Sequence, residues 1–183
     1  MNDFWSDVVD ESSGPPLTDE MVRAAEQTLG VRLPAEYLRL LRIRNGGYPR
    51  RGCFPADSPN SWADDHVRVE TIWGVGHARG IEGPRRHKLA DRGAELPGVV
   101  VFADTPSGGH DFLVFDYRAC GPEGEPQVAH VETEGDVGEP LVVAPNFEAF
   151  ARGLVDCSPY DEALDADDDE SDNEPGRPWW RFW

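Results

Sequence analysis

The stretch that decides the fold is LPAEYLRLLRIRNGG, residues 33–47. Pro34 suits the first turn of a helix, because its missing N–H would have had no partner there and its φ is already near helical. Tyr37, Leu38 and Leu41 recur at the spacing that puts apolar side chains on one helical face. The closing Asn-Gly-Gly tolerates positive φ, so the stretch predicts one helix with both ends encoded.

A second helix is predicted just before this stretch, over residues 17–30. Thr18 is the expected N-cap, because its hydroxyl can accept from the exposed N–H groups of the first turn. Asp19 and Glu20 follow, where the positive end of the helix dipole favours carboxylates. A final helix is predicted after Asn146, again with a side chain suited to the N-cap.

Between these helices the sequence alternates loops with short apolar runs. Residues 48–65 are rich in Pro, Gly, Ser and Asp and are predicted to form a long loop. The predicted strands are residues 67–73, 99–103, 112–115, 127–131 and 141–144. Strands grouped between helices, without βαβ units, predict an α+β fold. We expect a mostly antiparallel central sheet, covered by the N-terminal helix pair and the C-terminal helix.

The chain is predicted to hold a single domain with two polar ends. Residues 1–16 are expected to form a flexible leader and residues 17–160 the α+β domain. Residues 161–183 form an acidic tail with an aromatic terminus, and nine acidic residues fall within 161–174. The terminal aromatic run either folds back onto the domain or binds a partner.

Composition excludes several classes of function. The formal net charge of −18 argues against direct binding of nucleic acid or an anionic membrane, because both need a basic face. The beginning of the chain lacks a signal-peptide pattern, and no window is apolar enough for a membrane span. The three cysteines form no Cys-x-x-Cys pair. We therefore expect a cytoplasmic protein with reduced thiols.

Four segments in order resemble the SUKH superfamily, which comprises Smi/Knr-type cell-wall assembly regulators and bacterial toxin-immunity proteins. The first is the helix pair that ends in Asn-Gly-Gly at residues 45–47, and the second is IWGVG at residues 72–76. The third is VVFAD at residues 100–104 followed by GGHDFLVFD at residues 108–116. The fourth is VAPNF at residues 143–147. The resemblance spans most of the domain.

The resemblance implies a binding protein that does no catalysis. Bacterial members are typically encoded beside polymorphic toxins, often nucleases or deaminases, whereas fungal members act as regulatory adaptors. We therefore predict an immunity protein that neutralises a cognate toxin, with an adaptor for unrelated cellular partners as the alternative. The acidity either mimics the substrate of such a toxin or only maintains solubility.

Charge and loop position suggest the partner-contacting residues. The predicted contacts are acidic residues in surface loops: Asp64, Asp65, Asp104, Asp111, Asp116, Glu132, Glu134 and Asp136. Asp116 has a second interpretation, in which it closes its strand. No cofactor and no metal are expected, and the chain is predicted to be a monomer or a weak homodimer.

Other patterns have weaker chemical interpretations. His110 stands beside an aspartate, and Cys53 or Cys120 could serve as a nucleophile, so an enzyme is a third hypothesis; neighbours in sequence do not by themselves make a triad. Asp64, Asp65 and His66 carry metal-binding atom types, but a solvated turn is the better interpretation. The basic cluster at residues 85–88 is either a surface loop or a dock for the acidic tail.

Overall fold

The computed structural model describes residues 3–57, 59–60, 63–91, 93, 96–133 and 139–161. Its helices are α1 (Asp19–Leu29), α2 (Ala35–Leu41), α3 (Lys88–Asp91) and α4 (Phe147–Gly153), with a 3-10 turn at Pro84–His87. Its strands are β1 (Cys53–Pro55), β2 (His66–Arg68), β3 (Thr71–Ile72), β4 (Val99–Asp104), β5 (Asp111–Asp116), β6 (Gln127–Glu132) and β7 (Leu141–Ala144).

The strands form two antiparallel sheets. The larger sheet has the order β3-β4-β5-β6-β7, so each strand pairs with its neighbour in sequence. The smaller sheet consists of β1 and β2. The predicted α+β class with a mostly antiparallel sheet is confirmed.

One face of the large sheet is covered by the helices and carries an aromatic core. The side chains of Phe102 and Phe115 stack with 4.2 Å between ring centroids. Tyr37 from α2 and Phe147 from α4 pack edge-on against both rings. The Tyr37 hydroxyl donates to the backbone carbonyl of Trp73, which satisfies the one polar group that this helix buries in the core.

The predicted helix ends are largely confirmed. Thr18 accepts from the Met21 N–H at 3.2 Å, and Asn146 accepts from the Ala149 N–H at 2.8 Å. Gly30 ends α1 in the left-handed region, with φ of 70°. However, α2 ends at Leu41, several residues before Asn-Gly-Gly, so the prediction that this motif stops the helix is wrong.

Asn45 instead links three segments of the chain. Its side-chain amide donates to the carbonyls of Pro15 and Val75 at 2.8 and 2.7 Å, and its oxygen accepts from the Val75 N–H at 2.8 Å. At Gly46, a Cβ would lie 2.7 Å from the backbone nitrogen of Gly74. Residue 46 must be a glycine because residues 45–47 and residues 72–76 contact each other through their backbones at this point.

The leader packs against the domain over the residues that the structure describes. Trp5 is 6% exposed and forms a β-bridge with Pro49. The Arg44 guanidinium donates to the carbonyls of Ser6 and Val8 at 2.8 and 3.0 Å. Backbone pairing and an aromatic anchor thus place residues 3–16 against the domain, and their flexibility stays a prediction.

Two further predictions need correction. The predicted strand over residues 67–73 divides between β2 and β3, because the Val69 N–H bonds to the Gly52 carbonyl and the Glu70 N–H to the Asp104 carbonyl. Strand β1 lies inside the predicted loop 48–65.

The cysteines are the other correction. Cys53 and Cys157 form a disulfide, which contradicts the prediction of reduced thiols. The segment after α4 returns beside β1, where Val155 and Cys53 exchange backbone hydrogen bonds of 2.7 and 3.2 Å and so bring the two sulfurs together. Cys120 is the free cysteine, and it is exposed.

Candidate partner-binding surface

Asp104, a predicted surface contact, is the centre of a buried polar cluster. It ends β4 and is 7% exposed, on the sheet face opposite the aromatic core, where Leu89 of α3 packs. The indole N–H of Trp73 donates to Oδ2 at 2.8 Å, and Lys88 Nζ donates to Oδ1 at 2.8 Å. Arg85 forms a second ion pair with the same carboxylate. The prediction of an exposed loop position is wrong, because this carboxylate holds α3 onto the sheet.

The basic cluster at residues 85–88 thereby gains a structural role. The Arg85 guanidinium lies 4.4 Å from the Trp73 ring centroid, and Lys88 Nζ lies 5.2 Å from that of Phe112. Such cation–π contacts add to the ion pairs with Asp104. A plain surface loop therefore does not describe Arg85 and Lys88, whereas residues 162–183 of the tail, for which the alternative makes this cluster a dock, lie outside the described residues.

Asp111 and Asp116, the first and last residues of β5, are also buried rather than in surface loops. Asp111 is 1% exposed, with Oδ2 3.7 Å from Nε2 of His130. Asp116 is 6% exposed, and Arg118 binds it through two nitrogens at 2.9 and 2.8 Å. Hydrogen bonds from Arg118 lower the pKa of Asp116. The interpretation that Asp116 closes its strand agrees with this geometry.

The remaining predicted contacts are more accessible. Asp64 and Asp65 are exposed in the turn before β2, and Glu132 is half-buried at the end of β6. Oδ1 of Asp65 lies 2.9 Å from Nδ1 of His66. Glu134 and Asp136 lie outside the described residues, as do residues 162–183 of the predicted tail. The partner-contacting role of all these residues stays a prediction.

The residues of the enzyme hypothesis are not brought together. His110 precedes β5 and Cys120 follows it, so a six-residue strand, about 20 Å long, separates their two loops. The Cys53 sulfur is bonded to that of Cys157, so it is not a free thiol that could act as a nucleophile. Within the described ranges, no group of three His, Cys, Asp or Glu residues is placed to hold a metal ion.

Sequence reasoning missed a groove at the C-terminal end of α1. Two cavities adjoin there, sharing Gly30 and Val31 in their walls. The polar cavity, about 510 Å³, is lined by Glu26, Gln27, Gly30, Val31, Arg32 and Glu123. The second cavity, about 250 Å³, lies among Leu29, Gly98, Val99, Val100, Tyr117 and Pro122. We call the two together the α1 groove. The sequence signal was a helix whose last turn carries no basic residue.

Carboxylates surround this groove without a matching number of cations. Glu26 and Glu123 line the polar cavity, where Arg32 is the one basic lining residue. Glu125 lies on the same connection between β5 and β6, and partial burial and the charge of Glu148 raise its pKa. Burial raises the pKa of Tyr117, and the charges of Glu125 and Glu26 add to the effect. Two carboxylates thus face one guanidinium among the lining residues of the polar cavity.

Comparison with known proteins places the fold in a family. The sequence matches the SMI1 / KNR4 family (SUKH-1) over residues 16–153. The chain belongs to this family. The SMI1 / KNR4 match covers α1 to the end of α4, including both motifs that meet at Asn45, and stops before Cys157. A search of curated proteins finds no match. No described helix has the length and apolar character needed to cross a membrane.

Proposed function

We propose that this chain is an immunity protein that binds and neutralises a cognate protein toxin without doing chemistry. The observation that carries the proposal is membership of the SMI1 / KNR4 (SUKH-1) family over most of the chain. Binding proteins of this kind act by covering a functional surface, so they need complementary charge and shape.

The charge of the chain supports a toxin that acts on nucleic acid, a nuclease or a deaminase. Such an enzyme must attract phosphate and therefore presents a positive cleft. The chain carries a net charge of −18, and complementary fields raise association rates towards ~10⁸ M⁻¹s⁻¹ at low salt. Rapid capture matters because unbound toxin damages the cell that makes it.

The exposed acidic residues are the proposed contacts. Asp64 and Asp65 in the turn before β2 are exposed, and Glu132 at the end of β6 is half-buried. Asp104 and Asp116 are engaged by cations of the chain itself. We therefore propose Asp64 and Asp65, by their exposure, as the principal contacts, and the half-buried Glu132 as a secondary one.

The cytoplasm is the proposed location, because a toxin must be blocked where it is synthesised. Disulfides are rare in that compartment, since its thiol pool reduces them. Cys53 is completely buried and Cys157 is half-buried, so an external thiol can approach the disulfide only from the side of the Cys157 sulfur. Alkylation of thiols in intact cells is expected to label Cys120 and to leave Cys157 unlabelled; a labelled Cys157 would show that the disulfide is reduced there.

Co-expression tests the function directly. The chain is produced together with the toxin encoded by the neighbouring gene, and growth is scored with and without it. We expect growth to be rescued and a complex to elute from a sizing column, with the chain alone eluting as a monomer or a weak dimer. Failure to rescue, together with absence of a complex, would exclude the immunity role and favour the alternative of a regulatory adaptor.

A further inference from the structure

We propose that the Cys53–Cys157 disulfide is a redox clasp, opened by a dithiol reductant, that fastens residues 154–161 to the smaller sheet and thereby orients the Asp65 carboxylate. We call residues 154–161 the strap. The strap follows directly on the SMI1 / KNR4 match, which ends at residue 153. The effect on a partner rests on the proposed function, whereas the release of the strap does not.

The strap is held on the smaller sheet by one covalent bond and a few weaker contacts. Val155 pairs with the outer edge of β1 at a single bridge, through its two backbone hydrogen bonds with Cys53. Asp161 forms an ion pair of 2.6 Å with Arg68 of β2, but the two side chains are 52% and 34% exposed. Ion pairs that are exposed to this degree stabilise little. The disulfide is therefore the contact on which the position of the strap depends.

The strap also orients a proposed partner contact. The Tyr160 ring stacks on that of His66, with 4.1 Å between the centroids, and His66 is 5% exposed. Nδ1 of His66 in turn lies 2.9 Å from Oδ1 of Asp65. Because the stacked ring fixes the direction of this nitrogen, release of Tyr160 lets the Asp65 carboxylate rotate. A partner that binds the released form must order this side chain again, which costs conformational entropy.

The rest of the fold has its own contacts and does not need the clasp. The disulfide attaches to β1, which belongs to the smaller sheet rather than to the five-stranded one. The Phe54 ring of β1 stacks on Phe150 of α4 with 5.4 Å between centroids, so β1 stays on the core when the disulfide opens. Leu154 is 3% exposed in that core and anchors the start of the strap. Opening the clasp is therefore a local release.

The accessible side of the disulfide determines which reductant opens it. Because Cys53 is completely buried, a reductant thiolate attacks the Cys157 sulfur, forms a mixed disulfide there and releases Cys53 as a thiolate, which takes up a proton. With a monothiol, Cys53 lies beside the mixed disulfide at high effective concentration, attacks it and expels the monothiol. With a dithiol, the second thiol of the reductant attacks instead, closes the reductant's own disulfide and releases Cys157, which is protonated. Two electrons and two protons pass from the dithiol to the chain.

Backbone dynamics test the clasp in the full-length chain. The ¹⁵N-labelled protein is compared in its oxidised form, after reduction with dithiothreitol, and as Cys157→Ser. In both opened forms we expect the order parameters of residues 155–161 to fall from about 0.85 to below about 0.6, while the amide shifts of β4 and β5 stay in place. The matched control Cys120→Ser removes the exposed free thiol and should behave as wild type in both redox states. A strap that stays ordered after reduction, or loss of the β4 and β5 shifts along with it, would overturn the proposal.

The kind of reductant provides a second test. The Cys120→Ser chain is treated with dithiothreitol or with glutathione at equal thiol concentration, and the opened disulfide is followed by alkylation and mass spectrometry. We expect dithiothreitol to open the disulfide at least tenfold faster, and the trapped glutathione adduct to lie on Cys157. Equal rates, or an adduct on Cys53, would contradict the assigned direction of attack.

The toxin separates this inference from the proposed function. We expect the toxin to bind the Cys157→Ser chain at least threefold more weakly than the Cys120→Ser chain, which keeps the clasp. Equal affinities would show that the clasp does not control the partner contact, and the immunity function would stand. If the toxin binds neither variant and does not bind the wild-type chain, the immunity function is wrong, whereas the order parameters still decide whether the disulfide holds the strap.

Discussion

Asp116 and Glu125 lie at the two ends of the connection between β5 and β6, yet their carboxylates have opposite surroundings. Asp116 is buried and accepts hydrogen bonds from Arg118, and these hydrogen bonds lower the pKa of Asp116. Glu125 is largely accessible to water, but the protein removes part of its hydration, and this desolvation and the charge of Glu148 raise the pKa of Glu125. The first carboxylate stabilises the fold, whereas the second is held where its charge is disfavoured. The contrast suggests two classes of acid, one used by the fold and one presented to a partner.

The difference predicts that stability and binding separate by position. Removing a carboxylate that pairs with a cation of the chain itself should lower the free energy of unfolding. Removing a carboxylate that faces solvent should instead weaken binding of the partner. Four changes test this division by the free energy of unfolding in urea, from the largest expected effect to the smallest.

The disulfide is the strongest internal restraint. It closes a loop with 104 residues of sequence separation, so Cys157→Ser should lower the free energy of unfolding by about 2–4 kcal/mol. The control Cys120→Ser changes an exposed free cysteine and should leave stability within about 0.5 kcal/mol. Equal effects of the two substitutions would show that the disulfide contributes nothing to the fold.

The cluster around Asp104 is expected to have the second-largest effect on the free energy of unfolding. Asp104→Asn keeps an acceptor for the Trp73 indole but leaves Arg85 and Lys88 without their counter-charge. Because both cations keep partial access to water, we expect a loss of about 2–3 kcal/mol rather than the full effect of a buried pair. Asp64→Asn is the matched change at an exposed site, with an expected effect below about 0.5 kcal/mol. If Asp104→Asn proves as mild as Asp64→Asn, the cluster does not hold α3 on the sheet.

Replacing Asp116 should also lower the free energy of unfolding, and the size of that loss should depend on pH. Its pKa is lowered in the folded state, so its stabilising effect is present above the unfolded pKa of about 4 and is lost as pH falls through the lower folded value. Asp116→Asn should destabilise by about 1–2 kcal/mol at pH 7, because Arg118 is half-exposed. Urea titrations at pH 7 and pH 3 should show that difference shrinking in acid. A difference independent of pH would argue against the ion pair.

Glu125 should behave in the opposite way. Its pKa is raised in the folded state, so the fold favours the protonated form, and stability falls as pH rises through the folded pKa. Glu125→Gln is expected to leave stability at pH 7 unchanged or to raise it by up to about 0.5 kcal/mol. Unfolding at pH 7 and pH 4 would check this. A clear destabilisation by Glu125→Gln at pH 7 would place this residue with the internal acids.

The sequence predicted most of the fold because the relevant signals are local. Thr18 and Asn146 mark helix starts through their side chains, and β4 to β7 follow from short apolar runs. Non-local pairing explains what was missed. The Cys53–Cys157 disulfide depends on a chain return over 104 residues, which spacing alone does not reveal.

The candidate site was harder to predict for the same reason. Asp104 and Asp116 look like loop acids in sequence, but their burial is decided by Trp73, Lys88 and Arg118, which reach them in three dimensions. The α1 groove likewise exists only where the 117–126 connection meets the end of α1. Local patterns identified the scaffold, whereas the charge that remains available to a partner is visible only after the internal pairs are known.

The most direct test of the account replaces outward acids together and leaves the internal ones intact. A chain carrying Asp64→Asn, Asp65→Asn and Glu123→Gln is compared with wild type for unfolding in urea and for toxin affinity by calorimetry. We expect the free energy of unfolding to stay within about 1 kcal/mol, since all three residues are exposed. Toxin affinity should fall at least 100-fold. Undiminished affinity in this variant would contradict the claim that the outward carboxylates form the interface.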